Sequence, residues 1–383
     1  MAASPRFRIP RPAGPVAGLL LLAELLCFVA PANSQENPVT TIDQECMAFA
    51  YAPDGKIAYG VRHVLTTRRF EIQRDDIWLM TSDGKRRRIV NGEKLVQSQA
   101  PYSYAVKSLR WSPDGSRLTA ELLTSEMINE AGDIKDGVLT LLLDESGKEI
   151  KIAGGDSVIQ EATNATWLSD GVTVVYLQEA VKPKLLFGIG LVRPVAGRGG
   201  RVLTDHVFAA VAWDPKRNQA VAIERDAALS GPPRLVRLDI FKETTRELAT
   251  LDGYSGGLTL SPSGTKVAYF RDHEVLEIRD LASPERMARL RVAYGVFQWT
   301  PDERRILLKR GLERKTADLV WINVPELVTE APRAAGSAPK VLEPEPQPAL
   351  HGLTFRDFEI SPDGRFLAVI QPGKRNLLIY PIQ

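Results

Sequence analysis

A twelve-residue pattern occurs seven times along this chain, and no other feature limits its fold as tightly. It reads AFAYAPDGKIAY, LRWSPDGSRLTA, ATWLSDGVTVVY, VAWDPKRNQAVA, LTLSPSGTKVAY, FQWTPDERRILL and FEISPDGRFLAV. Two residues before the turn proline, or before the residue replacing it, stands a large apolar side chain: Tyr51, Trp111, Trp167, Trp213, Leu260, Trp299 and Ile360. These anchors are spaced 60, 56, 46, 47, 39 and 61 residues apart. Each copy reads as a tight β-hairpin. Apolar alternation precedes the turn, and β-branched or aromatic residues follow it. Proline presets φ at the second turn position, aspartate suits the next, and glycine accepts the strained last one. Ser169 replaces proline in the third copy, Lys216 and Arg217 replace Asp-Gly in the fourth, and Glu303 replaces glycine in the sixth. Less regular turns are expected there.

A second element follows each hairpin, as in DDIWLMTSDGKRRRIV (Asp75–Val90), DGVLTLLLDESGKEIKI (Asp136–Ile152) and RLVRLDIFKETTRELAT (Arg234–Thr250). HEVLEIRDLASPERMARLRV (His273–Val292) and ADLVWINV (Ala317–Val324) continue the series. Two hairpins per repeat make a four-stranded antiparallel sheet. Such a unit cannot bury both faces alone, so the repeats must stack. The expectation is an all-β chain forming one seven-bladed β-propeller over residues 35–383. A β-solenoid or two sandwiches are the alternatives, and neither has a period of this size with a repeated turn. The last repeat ends in its third strand, Asn376–Gln383, while Val39–Gln44 is a spare strand before the first hairpin. Pairing the two would close the ring and remove an open sheet edge. The proline-rich stretch Pro325–Leu350 reads as an extended surface loop, with Lys340–Glu343 as the short fourth strand of blade six.

Residues 1–34 have the three-part layout of a secretory signal: Arg6, Arg8 and Arg11, then apolar Val16–Ala30, then small residues up to a cleavage point near Ala32 or Ser34. The apolar stretch is short and Glu24 interrupts it, which argues against a spanning helix, though an uncleaved anchor stays open. Leu25 and Leu26 precede Cys27 where a lipid-attachment signal has small residues, so a lipoprotein is not expected. The leader carries three arginines and one glutamate, which brings the chain's 49 basic and 47 acidic side chains to equal numbers. A neutral mature chain does not fit a nucleic-acid binder. Cys46 then remains alone in an apolar run, so no internal disulfide forms and an inert buried thiol is expected.

The APDG and SPDG hairpins, with DDIWLMTSDG, resemble WD40-like (PD40) propeller repeats of the TolB type. They are also similar to the N-terminal propeller of the prolyl-oligopeptidase superfamily; Lys56–Val90 looks most like a first blade in acylaminoacyl-peptidase relatives. The resemblance covers nearly the whole chain after the leader and implies the propeller fold. It implies little about activity, because one fold hosts many. Those peptidases carry their Ser, Asp and His in a hydrolase domain after the propeller, and TolB proteins carry an α/β domain before theirs. The expectation here is the propeller without either.

Chemistry candidates are few. Gly253-Tyr254-Ser255-Gly256-Gly257 matches G-x-S-x-G, but a strand and hairpin follow where the nucleophile elbow needs a helix, so Ser255 is expected in an inter-blade loop. His63, His206, His273 and His351 are scattered, which argues against a metal site. Gly188-Ile189-Gly190 approaches a dinucleotide fingerprint, yet Arg193 occupies the third glycine's place. Lys85–Arg88 and the Arg62–Arg74 stretch are basic; a solvated hairpin tip and exposed loop are the plain reading, and an anion-binding patch the sharper one. No catalytic, cofactor or metal residue is assigned, and no cofactor is expected. The expected function is a monomeric, non-enzymatic binding scaffold in the periplasm or outside the cell, with an envelope or extracellular protein as partner. Membrane contact stays open, and nucleic acid is not expected. The alternative is a propeller enzyme (lyase, hydrolase or dehydrogenase type) using central-channel residues, which a linear motif search does not reveal.

Overall fold

The computed structural model describes residues 37–66, 71–94, 103–127, 133–152, 157–180, 186–194, 198–226, 228–310, 319–329, 340–350 and 357–382. The expected leader, His351 and the expected loop Gly336–Pro339 lie outside them. Among the described residues there is no α-helix, and none long and apolar enough to cross a membrane. The strands form a β-propeller of seven blades. From the centre outward, blade one is Cys46–Tyr51, Ile57–Val61, Asp76–Met80 and Arg86–Val90. Blade two is Ser103–Trp111, Arg117–Met127, Ile134–Asp144 and Val158–Gln160, and blade three Ala162–Trp167, Val174–Glu179, Phe187–Arg193 and Arg198–Val202. Blade four is Val207–Asp214, Gln219–Arg225, Arg234–Asp239 and Thr244–Thr250. Blade five is Gly256–Leu260, Lys266–Phe270, Val275–Asp280 and Arg286–Arg291, extended by Val328–Thr329. Blade six is Gly295–Trp299, Arg305–Arg310, Leu319–Asn323 and Gln347–Leu350.

Blade seven closes the ring as expected. Asp357–Ile360, Phe366–Ile370 and Leu377–Pro381 take their fourth strand, Thr40–Ile42, from the start of the chain, in the register Thr40↔Ile379, Thr41↔Leu378 and Ile42↔Leu377. One apolar core fills each of the seven seams, the seventh joining blades seven and one through Ile42, Phe49, Tyr59, Ile370 and Ile379. The repeated anchor always packs against the preceding blade: Trp111 on blade one, Trp167 on blade two, Trp213 on blade three, Trp299 on blade five and Ile360 on blade six. That contact explains why the position never becomes small or polar. Truncating one of these tryptophans to alanine would cost about 3–5 kcal/mol.

The turns share one hydrogen-bond plan. Gly55, Gly115, Gly264 and Gly364 donate N–H to the carbonyls of Ala52, Ser112, Ser261 and Ser361, and all four glycines are in the left-handed region. In the Ser/Thr-Pro-Asp copies, the hydroxyls of Ser112, Thr300 and Ser361 donate to Asp114, Asp302 and Asp363 at 2.6 Å. The expected irregularity is confined to copy four, where the left-handed residue moves to Asn218 (φ 55°). Copy three keeps the plan because Gly171 is still present, and in copy six Glu303 itself adopts φ 59° and donates to Thr300. Glu303 is held in place by its carboxylate, which accepts from Ser263 N–H and pairs with Lys266 at 2.7 Å.

Two expected edge strands lie elsewhere. Leu342 exchanges hydrogen bonds with Arg289 and Arg291, so Lys340–Glu343 runs along the outer edge of blade five; Gln347–Leu350 is the fourth strand of blade six. An edge position suits that strand, because Pro348 has no N–H to donate. In blade two, the KEIKI segment makes only the bridge Leu143↔Glu149, and Val158–Gln160 forms the ladder.

Candidate functional site

The residue just before each anchor falls on the opposite face of its inner strand. In order these are Ala50, Arg110, Thr166, Ala212, Thr259, Gln298 and Glu359. Ala50, Arg110, Gln298 and Glu359 line two cavities of the central channel. The larger, about 570 Å³, opens on the turn face and is rimmed by Pro53, Pro113, Pro215, Pro262 and Pro362. Trp111 and Trp213 form part of its wall, and Arg110 and Glu359 lie within it. The smaller, about 320 Å³, is lined by Lys107, Ser108, Gln298 and Asp357. The two share Leu109 and Glu359.

Glu359 accepts the main-chain N–H of Tyr51 through Oε2 at 3.1 Å. What surface it keeps faces the channel, and burial pushes its carboxyl up to about 8 against the opposing pull of the Tyr51 N–H and of Arg110. The Arg110 side chain is open to solvent only inside this ring of strands; desolvation lowers its pKa while Glu121 and Glu359 act to raise it. Its guanidinium makes no hydrogen bond to the described residues. Lys107, by contrast, is neutralised. It is the extra residue of a bulge between Val106 and Ser108, which turns both Lys107 and Ser108 toward Glu121. Glu121 accepts from Lys107 at 2.5 Å, from Ser108 at 3.1 Å and from the Asn164 N–H at 3.2 Å. Asn164 (φ 51°) then ties in blade four, donating to Val211 O and accepting from Trp213 Nε1 at 2.7 Å. On the far side the Ile360 N–H donates to Gln298 Oε1 at 2.9 Å. These bonds join blade seven to one, two to three, three to four and six to seven, and among the described residues Arg110 makes no hydrogen bond to an acid.

None of the linear candidates joins this constellation. Ser255 precedes the inner strand of blade five and donates to the Phe270 carbonyl at 3.3 Å; among the described residues no histidine or carboxylate is bonded to it. His63 meets Glu93 at 3.1 Å, His206 bonds Glu224, and His273 packs edge-on to Tyr294 at 5.2 Å, in three different blades. Among the described residues no group of His, Cys, Asp and Glu is arranged to hold a metal ion. Gly188–Gly190 is a middle strand of blade three, and the Tyr176 ring covers Gly190 so closely that a Cβ there would meet it at 2.2 Å. Lys85 lies in the solvated turn and Arg86–Arg88 begin the outer ladder strand, with all four side chains exposed. Arg86 donates to Thr41 O, Arg87 to Glu145 O and Arg88 to Asp76, so three arginines brace blades seven, two and one. In the Arg62–Arg74 stretch, of which 67–70 lie outside the described residues, Arg62 pairs with Glu45 at 2.7 Å. Cys46 is fully buried, and desolvation pushes its thiol up to about 12. Sequence reasoning missed Arg110, Gln298 and Glu359, although one signal marks them: polar or charged residues at a repeat position that is alanine or threonine in the other blades.

No protein-family model matches the chain, and no curated protein matches its sequence. Solved structures do match. A chain in the crystal structure of the mitotic checkpoint complex superposes with a TM-score of 0.54 at 13% identity, covering 97% of this chain and 99% of that one. The β-propeller domain of Cps50 (Swd1) from Myceliophteria thermophila gives 0.55 at 12% identity, covering 90% and 100%. At such identities the likeness concerns the fold, which is a β-propeller.

Proposed function

We propose that this chain is an exported, non-enzymatic scaffold that holds another envelope or extracellular protein at the turn-face mouth of its channel. The observation that carries the reading is the rim. Five prolines on hydrogen-bonded turns surround a preformed concavity of about 570 Å³, walled by Trp111 and Trp213 and floored by Arg110 and Glu359. A surface that needs no ordering loses little entropy when a partner seats on it. Buried aromatic and arginine side chains are the usual energetic centres of such contacts. The fold likeness to a chain within a checkpoint complex fits a role in assembly. Export rests on the basic and apolar pattern of residues 1–34, and assignment to the TolB-type repeats rests on the SPDG hairpins. Crosslinking and pull-down of the tagged protein from its own envelope fraction should recover one reproducible partner. Failure to recover any, beside a detected turnover, would reject the scaffold.

One observation favours a second reading, a channel enzyme. Glu359, whose carboxyl is raised to about 8, is placed beside Arg110 in a cavity of ligand size. In that case Glu359→Gln abolishes a turnover that the parent protein shows.

A further inference from the structure

We propose that the turn-face cavity binds a carboxylate, gripped by Arg110 and by the carboxyl of Glu359. The inference rests on the mouth being the binding site and names the chemistry it selects. Arg110 comes from blade two and Glu359 from blade seven, and both line the same cavity. A guanidinium without a hydrogen-bonded partner offers donors in a fork that fits the two oxygens of a carboxylate. Glu359 uses Oε2 for the Tyr51 N–H, and its Oε1 has no hydrogen-bond partner among the described residues. In its protonated form that carboxyl donates a hydrogen bond to a bound carboxylate; ionised, it repels one. Burial keeps the proton on Glu359 up to about pH 8.

The surrounding charges favour a monoanion over a dianion. Lys107 is taken by Glu121, which leaves Arg110 as the guanidinium in this lining with no hydrogen-bonded acid among the described residues. Tyr51 from blade one and Asp357 on the strand of Glu359 flank the site, and burial and the neighbouring acids hold the Tyr51 phenol protonated. From blade four, Asp214 is paired with Arg217 at 2.7 Å, while Lys216 stands at the rim. A carboxylate matches the fork of Arg110, the one guanidinium in this lining, whereas a phosphate dianion carries a second charge that this guanidinium alone does not offset. Trp111, Trp213 and Leu109 supply apolar wall for whatever carries the carboxylate.

The carboxylate has two possible sources, a partner's chain terminus and a free small acid. The test is calorimetric titration of the purified protein with benzoate and with a short apolar peptide bearing a free C-terminus. Benzamide, the C-amidated peptide and inorganic phosphate serve as controls. At least one free carboxylate should bind about tenfold or more tightly than its amide and than phosphate. A peptide that outbinds benzoate assigns the site to a partner's terminus, and the reverse order assigns it to a free acid. Arg110→Met should weaken carboxylate binding by about ten- to a hundredfold, and Arg110→Lys by less, because the charge survives without the fork. Affinity should fall as pH rises through about 8, and Glu359→Gln, which keeps a donor, should flatten that fall. Absence of carboxylate binding, equal binding of the amides, tighter binding of phosphate, or unchanged binding in a folded Arg110→Met protein would each overturn the assignment. Partner recovery separates the two readings. A partner crosslinked at the mouth and equally recovered by Arg110→Met leaves the scaffold standing without the carboxylate.

Discussion

Tyr51 donates its main-chain N–H to Glu359 Oε2 at 3.1 Å, joining the inner strands of the first and last blades across 308 positions of chain. The bond sits at the ring's closing seam and helps set the ionisation of the channel carboxyl.

That carboxyl makes stability depend on pH with a definite sign. Its folded-state value, about 8, lies above its ordinary value of 4.5, so the folded protein keeps a proton that the unfolded chain releases. The contribution is fully present below the unfolded value and is lost as pH rises through about 8. Asp75, raised by burial to about 6, acts with the same sign over a narrower window. The melting temperature should therefore be higher near pH 5 than near pH 9, and Glu359→Gln should reduce the difference by about 2–4 °C. Differential scanning calorimetry of the two proteins across that range checks it.

Ring closure depends on a three-residue strand. Val39 N donates to Ile379 O, Arg86 reaches Thr41 O, and Ile42 is fully buried in the seam between blades seven and one. Deleting residues 35–44 should lower the melting temperature, broaden the transition and promote aggregation through the exposed edge of Leu377–Pro381. Ile42→Ala alone should cost about 2–5 kcal/mol in denaturant unfolding. Removing residues 336–339 should be nearly neutral by comparison.

Blade five hides an ionic network. Glu277 accepts from Arg279 Nε and Arg289 Nε, each at 2.6 Å, and from the Tyr269 hydroxyl, with all four side chains buried. The two guanidiniums hold the Glu277 carboxyl below its usual range in spite of burial. Glu277→Gln removes the shared counter-charge and should destabilise by about 3–5 kcal/mol. Replacing Glu277, Arg279 and Arg289 together by apolar residues of similar volume should recover much of the loss. Urea unfolding of the single and triple variants distinguishes the two.

Gly190 and Tyr176 face each other in the ladder of blade three, with the ring over the glycine. Gly190→Ala should cost about 1–3 kcal/mol by overpacking. The cost should shrink in a Tyr176→Ala background, where the ring is gone, and a double-mutant cycle of unfolding energies measures the coupling.

The repeat made the blades and the closing strand legible, because hairpin alternation and turn chemistry are local and recur. Lys340–Glu343 was misplaced for a physical reason. A proline-rich stretch has no alternation to assign it to a sheet, and Leu342 pairs by an isolated parallel bridge to blade five. The Glu277 network was illegible because VLEIRD and RMARLR alternate like strands with one wet face, whereas in a ring both faces of a blade are covered. Arg110 and Glu359 lie far apart in sequence, and only the shared repeat register marks them as neighbours in space.

The central claim is that this protein engages a partner through the channel mouth. The most direct measurement places a photocrosslinking amino acid at Lys216, exposed on the mouth rim, and at Lys242, exposed on an outer hairpin of the same blade. Both variants are irradiated in the cells that make the protein. The account predicts one reproducible protein adduct from position 216 and none from position 242. The same adducts from both positions, or none from 216 beside a turnover lost in Glu359→Gln, would contradict it.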